Sequence, residues 1–258
     1  MQIITLTTDF GTRDWFVGTM KGVILSIAPR ATVVDITHEI SPGDIRSGAF
    51  ALAAGFRFFP KGTVHVAVVD PGVGSTRKAI VVRTANYHFV GPDNGVLSFA
   101  LAKEKIKSVH RLENADYFLH PVSRTFHGRD IFAPVAAHLA RGLPLRKLGP
   151  AQKDLVRLPW PELRVKRGRI GGEVIFIDGF GNAITNIENA SLKPHSHQDV
   201  FIGRRRLCQV QAFYQSVPPG RAAAVPGATG FMEIAVNGGS AAKRFRLKVG
   251  GEVSLRWR

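Results

Sequence analysis

Cysteine is almost absent from this sequence of 258 residues: Cys208 stands alone. No intrachain disulfide is possible, and no thiolate cluster can hold a metal within one chain. That usage fits a cytoplasmic location. Long apolar runs are missing as well, since no stretch reaches the ~18 uninterrupted apolar residues of a membrane span. The N-terminal stretch through Asp9 has no basic segment ahead of an apolar run, so it reads as a first strand and not as a signal peptide. Acidic residues are scarce, 19 against 35 lysines and arginines, which leaves a net charge of +16. Such an excess suits an anionic partner such as nucleic acid. The basic residues are dispersed, however. The densest runs, Arg204-Arg205-Arg206 and Lys166-Arg167-Gly168-Arg169, have no interleaved aromatic residue to stack a base. A solvated basic surface is therefore favoured over a nucleic-acid interface. Familiar signatures are missing too. There is no Walker phosphate loop and no Gly-x-Gly-x-x-Gly after the first strand, which argues against a nicotinamide dinucleotide. No two histidines have zincin spacing, and there is no Gly-x-Ser-x-Gly elbow.

What is present divides the chain by texture. The first part alternates strands and helices. Ile3–Thr8, Ala31–Ile36, Thr63–Val69, Ala79–Thr84 and Tyr87–Val90 read as strands. Asp14 is a candidate cap for a helix with apolar residues at Phe16, Met20, Val23, Ile24 and Ile27, stopped by Pro29. Asp44 is a candidate cap for a helix through Phe58, and Ile131–Leu139 is helical again. This alternation predicts an α/β domain over residues 1–145, a mostly parallel sheet flanked by helices. Residues 146–168, within a Pro-, Gly- and basic-rich stretch, read as a linker. From 169 to 258 short apolar runs dominate, among them Glu173–Asp178, Val200–Ile202, Leu207–Phe213, Met232–Val236, Phe245–Val249 and Val253–Trp257. They predict an all-β, barrel-like C-terminal domain.

In open parallel sheets, ligands bind beyond the carboxyl ends of the strands. Three strand ends here carry acids: Thr7-Thr8-Asp9, Val69-Asp70-Pro71-Gly72 and Gly91-Pro92-Asp93-Asn94. Asp-Pro-Gly is ordinary turn chemistry, but three acidic tips in one domain point to a polar pocket on one edge. The segment Thr125–Pro134 adds His127 and Arg129 ahead of a helix that Asp130 is placed to cap. In the β region, Ile177–Ile187 reads either as a hairpin with glycines in its turn or as a ring-binding loop. In the second reading Phe180 stacks on a flat heterocycle and Asn182 offers a donor and an acceptor to its edge.

Taken in order, "TTDFG" (7–11), "DITHEI" (35–40), "RFFPKGTVHVAVVDPGVGS" (57–75), "GPDNGVLS" (91–98), "FHGRDIFAP" (126–134), "IDGFGNAITNI" (177–187) and "MEIAVNGGSAA" (232–242) resemble one family closely. It is the S-adenosyl-L-methionine hydrolase family, the SAM hydroxide adenosyltransferases, whose relatives include fluorinase and chlorinase. The resemblance spans nearly the whole chain. It implies an α/β domain joined to a β-barrel, a homotrimer with the substrate between subunits, and attack of water or hydroxide on C5′ of the adenosyl group. Methionine would leave and adenosine would form, with no metal and no organic cofactor.

The resemblance also implies site residues. The hydrolase set of Asp, Arg and His falls on Asp70, Arg77 and His127. Asp9 falls on the ribose-hydroxyl ligand, Asp178 on a ligand of the methionine ammonium, and Phe180 and Asn182 on the adenine loop. Asn94, in "GPDNG", joins the substrate-binding set. Two positions depart from the family pattern. Gly43 stands where relatives often have an aromatic residue, and Ala228-Thr229 stands where a Ser-Arg or Ser-Ser pair would hold the methionine carboxylate, leaving Thr229 one hydrogen bond to donate. A sulfonium leaves readily without a general acid, so the expected work of the site is to align and activate one water. A halide-dependent adenosyltransferase of the same family is an alternative, against which Asp70 and the absence of an inserted loop after Ser75 both argue. A basic nucleic-acid-binding protein is the other.

Overall fold

The computed structural model describes residues 2–193 and 197–257. The chain divides into two compact units, Met1–Leu158 and Pro159–Arg258.

The first unit contains strands β1 (Ile3–Thr8), β2 (Thr32–Thr37), β3 (Val64–Val68), β4 (Ala79–Thr84), β5 (His88–Pro92) and β6 (Ile106–Arg111). Its helices are α1 (Phe16–Ile27), α2 (Ile45–Gly55), α3 (Ser98–Leu101) and α4 (Ala133–Ala140). The strands form one sheet in the order β2-β1-β3-β5-β4-β6. β1 pairs in parallel with β2 and β3, and β3 with β5. β4 is antiparallel to both β5 and β6, so the sheet is mixed where the sequence predicts a mostly parallel one. The cause is the short link from β4 to β5. Thr84 N donates to the carbonyl of Tyr87 at 2.9 Å, and a connection that tight makes a hairpin, whereas a parallel crossover needs a dozen residues or more.

Helix α2 starts as the sequence predicts: the Asp44 carboxylate accepts from Ser47 N at 3.0 Å and Ser47 Oγ at 2.6 Å. Helix α1 does not. It begins after Trp15 with no side-chain cap, so Asp14 plays no such part. Its buried residues Val17, Met20 and Ile24 follow helical spacing and join a core with Ile4, Leu6, Val66, Phe132 and Val135. The α4 region differs as well. A π-helical turn, Gly128–Phe132, precedes α4. Asp130 lies inside that turn, fully buried, and does not cap the helix. Its carboxylate accepts from Arg129 Nε at 2.6 Å and from Ser123 N and Oγ at 2.8 and 2.6 Å.

The second unit contains β7 (Arg164–Lys166), β8 (Arg169–Ile177), β9 (Ala183–Glu188), β10 (Asp199–Ile202), β11 (Arg205–Gln209), β12 (Ala222–Pro226), β13 (Phe231–Val236) and β14 (Glu252–Arg256). They run in the order β11-β10-β14-β8-β9-β13-β12, with β7 added on β8, and the paired strands are antiparallel. A bridge between Val210 and Ala224 brings the two ends of this sheet together, so it is nearly closed and barrel-like. Phe245–Val249 is not a strand. A short helix, α5 (Ala241–Phe245), is capped by Ser240, whose side chain accepts from Lys243 N. Arg246 ends it with φ 54°, a left-handed cap.

Candidate active site

In the first unit, β1, β3 and β5 are neighbours running the same way, and each ends in a polar residue of interest. Asp9 follows β1, Asp70 follows β3 and Asn94 follows β5. Asp9 is braced from two sides. Its Oδ2 accepts from Gly43 N at 2.8 Å. Thr8 Oγ1, next in the chain, lies 2.8 Å from His38 Nδ1, and His38 Nε2 is 3.1 Å from Asp35. Burial raises the pKa of Asp9, and the negative charge of Asp70 raises it further against the Gly43 hydrogen bond.

Asp70 is the centre of a tight cluster. Arg77 Nε lies 3.1 and 2.9 Å from its two oxygens, and Nη2 lies 2.5 Å from Oδ2. The same Nη2 is 2.7 Å from Nδ1 of His127. Both members of the ion pair are buried, Asp70 to 5 % and Arg77 to 11 % side-chain exposure, and the guanidinium stacks over the ring of Phe132 at 5.4 Å. A guanidinium can only donate, so Nδ1 of His127 accepts and its ring proton sits on Nε2. Burial and the charge of Arg77 lower the pKa of His127 below its ordinary value, against the pull of Asp70.

The turn after Asp70 is built for this packing. Val73 N returns to the carbonyl of Asp70 at 3.2 Å, and Ser75 Oγ donates to Gly72 O at 2.6 Å. Gly74 has φ 76°, and a Cβ there would collide with the carbonyl oxygen of Arg124. The glycine thus lets the turn approach the segment that carries His127. Asn94 ties β5 to β3: Nδ2 donates to Val69 O at 2.8 Å, and Oδ1 accepts from Val96 N at 3.1 Å.

In the second unit, Asp178, Phe180 and Asn182 share one loop between β8 and β9. The Asp178 carboxylate accepts from Phe180 N, Asn182 N and Asn182 Nδ2 at 3.0, 2.8 and 3.0 Å. These bonds close the loop on itself, and Phe180 stands outward with 82 % of its surface exposed. Thr229 lies elsewhere, in the turn joining β12 to β13, and its buried Oγ1 has no hydrogen-bond partner. Two residues of this unit escaped the sequence reading. Glu233, on β13, is buried and accepts from the hydroxyl of Tyr214. The available signal was an acid inside the apolar run Phe-Met-Glu-Ile-Ala-Val. Among the described residues, no three His, Cys, Asp or Glu side chains gather as a metal site would need.

Residues 4–149 match the SAM hydroxide adenosyltransferase N-terminal domain, and residues 172–254 match the C-terminal domain of the same name. The chain belongs to the SAM hydroxide adenosyltransferase family. It is 42 % identical over 242 residues to the (R)-S-adenosyl-L-methionine hydrolase of Salinispora tropica, covering 93 % of this chain and 92 % of that one. The fluorinase of Nocardia brasiliensis is a more distant relative, 28 % identical over 98 % of this chain and 96 % of its own. Among solved structures, an uncharacterized conserved protein from Thermotoga maritima superposes with a TM-score of 0.92 at 39 % identity, covering 99 % of this chain and 100 % of that one.

Proposed function

We propose that this chain hydrolyses S-adenosyl-L-methionine to adenosine and L-methionine. The observation that carries the reading is the Asp70–Arg77–His127 cluster at the carboxyl edge of the first unit's sheet. A water oxygen bonds to C5′ as the C5′–S bond breaks. The sulfonium leaves as the neutral thioether of methionine, and the water's proton passes to the Asp70 carboxylate and from there to solvent. Of the three residues, Arg77 is a donor only, and His127 has its Nδ1 engaged and its Nε2 protonated. Asp70 is therefore the group left to accept a hydrogen bond from the water. Arg77 fixes the carboxylate in a bidentate grip, and His127 Nε2–H supplies a second point to orient the nucleophile. Local acids, Asp9 and Asp70, oppose the overall positive charge and favour a cationic substrate.

The remaining contacts follow the same reading. Asp9 holds the ribose hydroxyls, Phe180 stacks on adenine and Asn182 reads its edge. Asn94 keeps the β5 tip against Asp70. The assembly is a homotrimer whose substrate lies between subunits, with the exposed ring of Phe180 open to that substrate. Purified protein mixed with S-adenosyl-L-methionine, with and without chloride and with and without a chelator, tests the proposal. Adenosine and methionine in equal amounts, unaffected by either addition, are expected. A chloride-dependent 5′-chloro product would place the chain with the halide-using branch instead.

A further inference from the structure

The two densest basic runs, Lys166-Arg167-Gly168-Arg169 and Arg204-Arg205-Arg206, lie far apart in the chain. The sheet of the second unit brings them onto one face. Its strands run β11-β10-β14-β8, with β7 on the far side of β8. Lys166 pairs with Arg169, Arg169 with Arg256, and Arg256 with Asp199. In the adjoining row Arg164 pairs with Gly171, Gly171 with Ser254, Ser254 with Phe201, and Phe201 with Arg206. Directly paired residues share a face, with Cβ atoms about 5 Å apart. The intervening residues Ile170, Val200 and Leu255 enter the core, so both rows face outward.

Cations outnumber acids on this face. Asp199 is met by Arg206 at 2.7 Å. Glu252, which pairs with Glu173 beyond the second row, is met by Arg164 at 2.8 Å. Lys166, Arg167 and Arg169 stand exposed beside them. The guanidinium of Arg256 lies 4.1 Å over the ring of Phe201, and its Nη2 donates to Gly203 O at 2.6 Å. Phe201, Arg256 and Trp257 line an open cleft with Ile170, Gln198 and Asp199. In the sequence no aromatic residue is interleaved with the basic runs; the fold supplies Phe201 and Trp257 from other strands. Rows of cations suit the phosphates of an extended strand, and aromatic rings with a guanidinium between them offer a base a surface to stack on. A duplex keeps the faces of its bases covered by their neighbours and has no group to place in such a cleft.

We propose that this face of the second unit binds single-stranded nucleic acid, with Lys166, Arg169 and Arg256 on phosphates and a base in the cleft beside Phe201 and Trp257. The proposal does not rest on the hydrolase reading. Fluorescence anisotropy of the whole protein with a labelled single-stranded RNA of about 12 nucleotides, within the span one such barrel covers, tests it. Affinity should fall as salt rises. In the double variant Lys166→Gln, Arg169→Gln, affinity at low salt should fall about 5-fold or more, and the slope of log K against log salt should lessen by about 1.4, the share of two phosphate contacts. The control Lys105→Gln, Lys107→Gln removes the same charge from exposed positions of the first unit and should keep the parent's slope. An abasic strand of equal length should bind about 5-fold or more weakly, the least that one stacked base contributes. Absence of saturable binding at low salt, equal losses in the two double variants, or an abasic strand that binds as well as the RNA would each overturn the assignment. Release of adenosine from S-adenosyl-L-methionine should be the same in both variants as in the parent. A parent that binds RNA as expected but releases no adenosine would defeat the hydrolase reading and leave this surface standing.

Discussion

Arg77 donates from Nη2 to Nδ1 of His127 at 2.7 Å while gripping Asp70 with the same guanidinium. Protonation of His127 fills Nδ1 and sets two cations against each other, so the cluster needs the neutral ring. Burial and Arg77 push the His127 pKa below 6.5, so the neutral form persists to lower pH than in a free histidine. A pH profile of kcat/KM should therefore show an acid limb with its midpoint below 6.5. His127→Asn, which keeps an acceptor for Arg77 without a titrating ring, should lose that limb. A wild-type midpoint above 6.5, or an unchanged limb in the variant, would count against this role.

Asp70→Asn keeps the shape of the side chain but removes its charge and most of its ability to take a proton. Saturated turnover should fall by about two orders of magnitude or more, as for a lost positioned base. KM should change little if, as proposed, Asp9, Phe180 and Asn182 hold the nucleoside. If Asp70 were only a turn residue, asparagine would serve nearly as well. A rate within about threefold of the parent, far short of the loss expected for a positioned base, would remove Asp70 from the mechanism.

Much of this arrangement is legible in the sequence. The strand Ile3–Thr8 and the Asp44 cap emerge at the positions predicted, because a period-two apolar run and a helix cap are local signals. Asp14 and Asp130 show where local signals mislead. Both stand before apolar helical runs, yet Trp15 opens one helix uncapped and Asp130 is consumed by Arg129 and Ser123 inside a π turn. Phe245, Leu247 and Val249 alternate like a strand, and only the left-handed cap at Arg246 reveals a helix end. Glu233 stayed hidden for a different reason. Its partner Tyr214 is distant in sequence, and a single acid in a strand looks the same whether it faces solvent or a buried hydroxyl.

His65, on β3, makes a prediction about stability. It is fully buried, bonded at Nδ1 to Thr5 Oγ1 at 2.7 Å, and ringed by Phe56, Phe59, Tyr87 and Phe89. Burial lowers its pKa from 6.5 to about 3. Between those values the unfolded chain binds the proton that the folded chain refuses, so stability is full above 6.5 and falls as pH drops. The slope is ~1.4 kcal/mol per pH unit, or about 2 kcal/mol lost by roughly pH 5. Urea denaturation at several pH values measures it. His65→Asn should flatten the slope; an equal slope in the variant would contradict the assignment.

Phe180 separates binding from folding. An exposed ring contributes within about 0.5 kcal/mol to stability, so Phe180→Ala should unfold at nearly the same denaturant concentration as the parent. Loss of a stacked base is worth about 1–3 kcal/mol, so affinity for the adenosyl group should fall roughly 5- to 150-fold. Light scattering of the parent should report a trimer, and an active monomer would refute a site shared between subunits.

In the proposed reaction, water aligned by Asp70 attacks C5′ of S-adenosyl-L-methionine. Reaction in oxygen-18 water followed by mass analysis of the nucleoside tests it most directly. Adenosine carrying one heavy oxygen at its 5′ position is expected, with or without chloride. Unlabelled adenosine, or a 5′-halogenated nucleoside in its place, would contradict it.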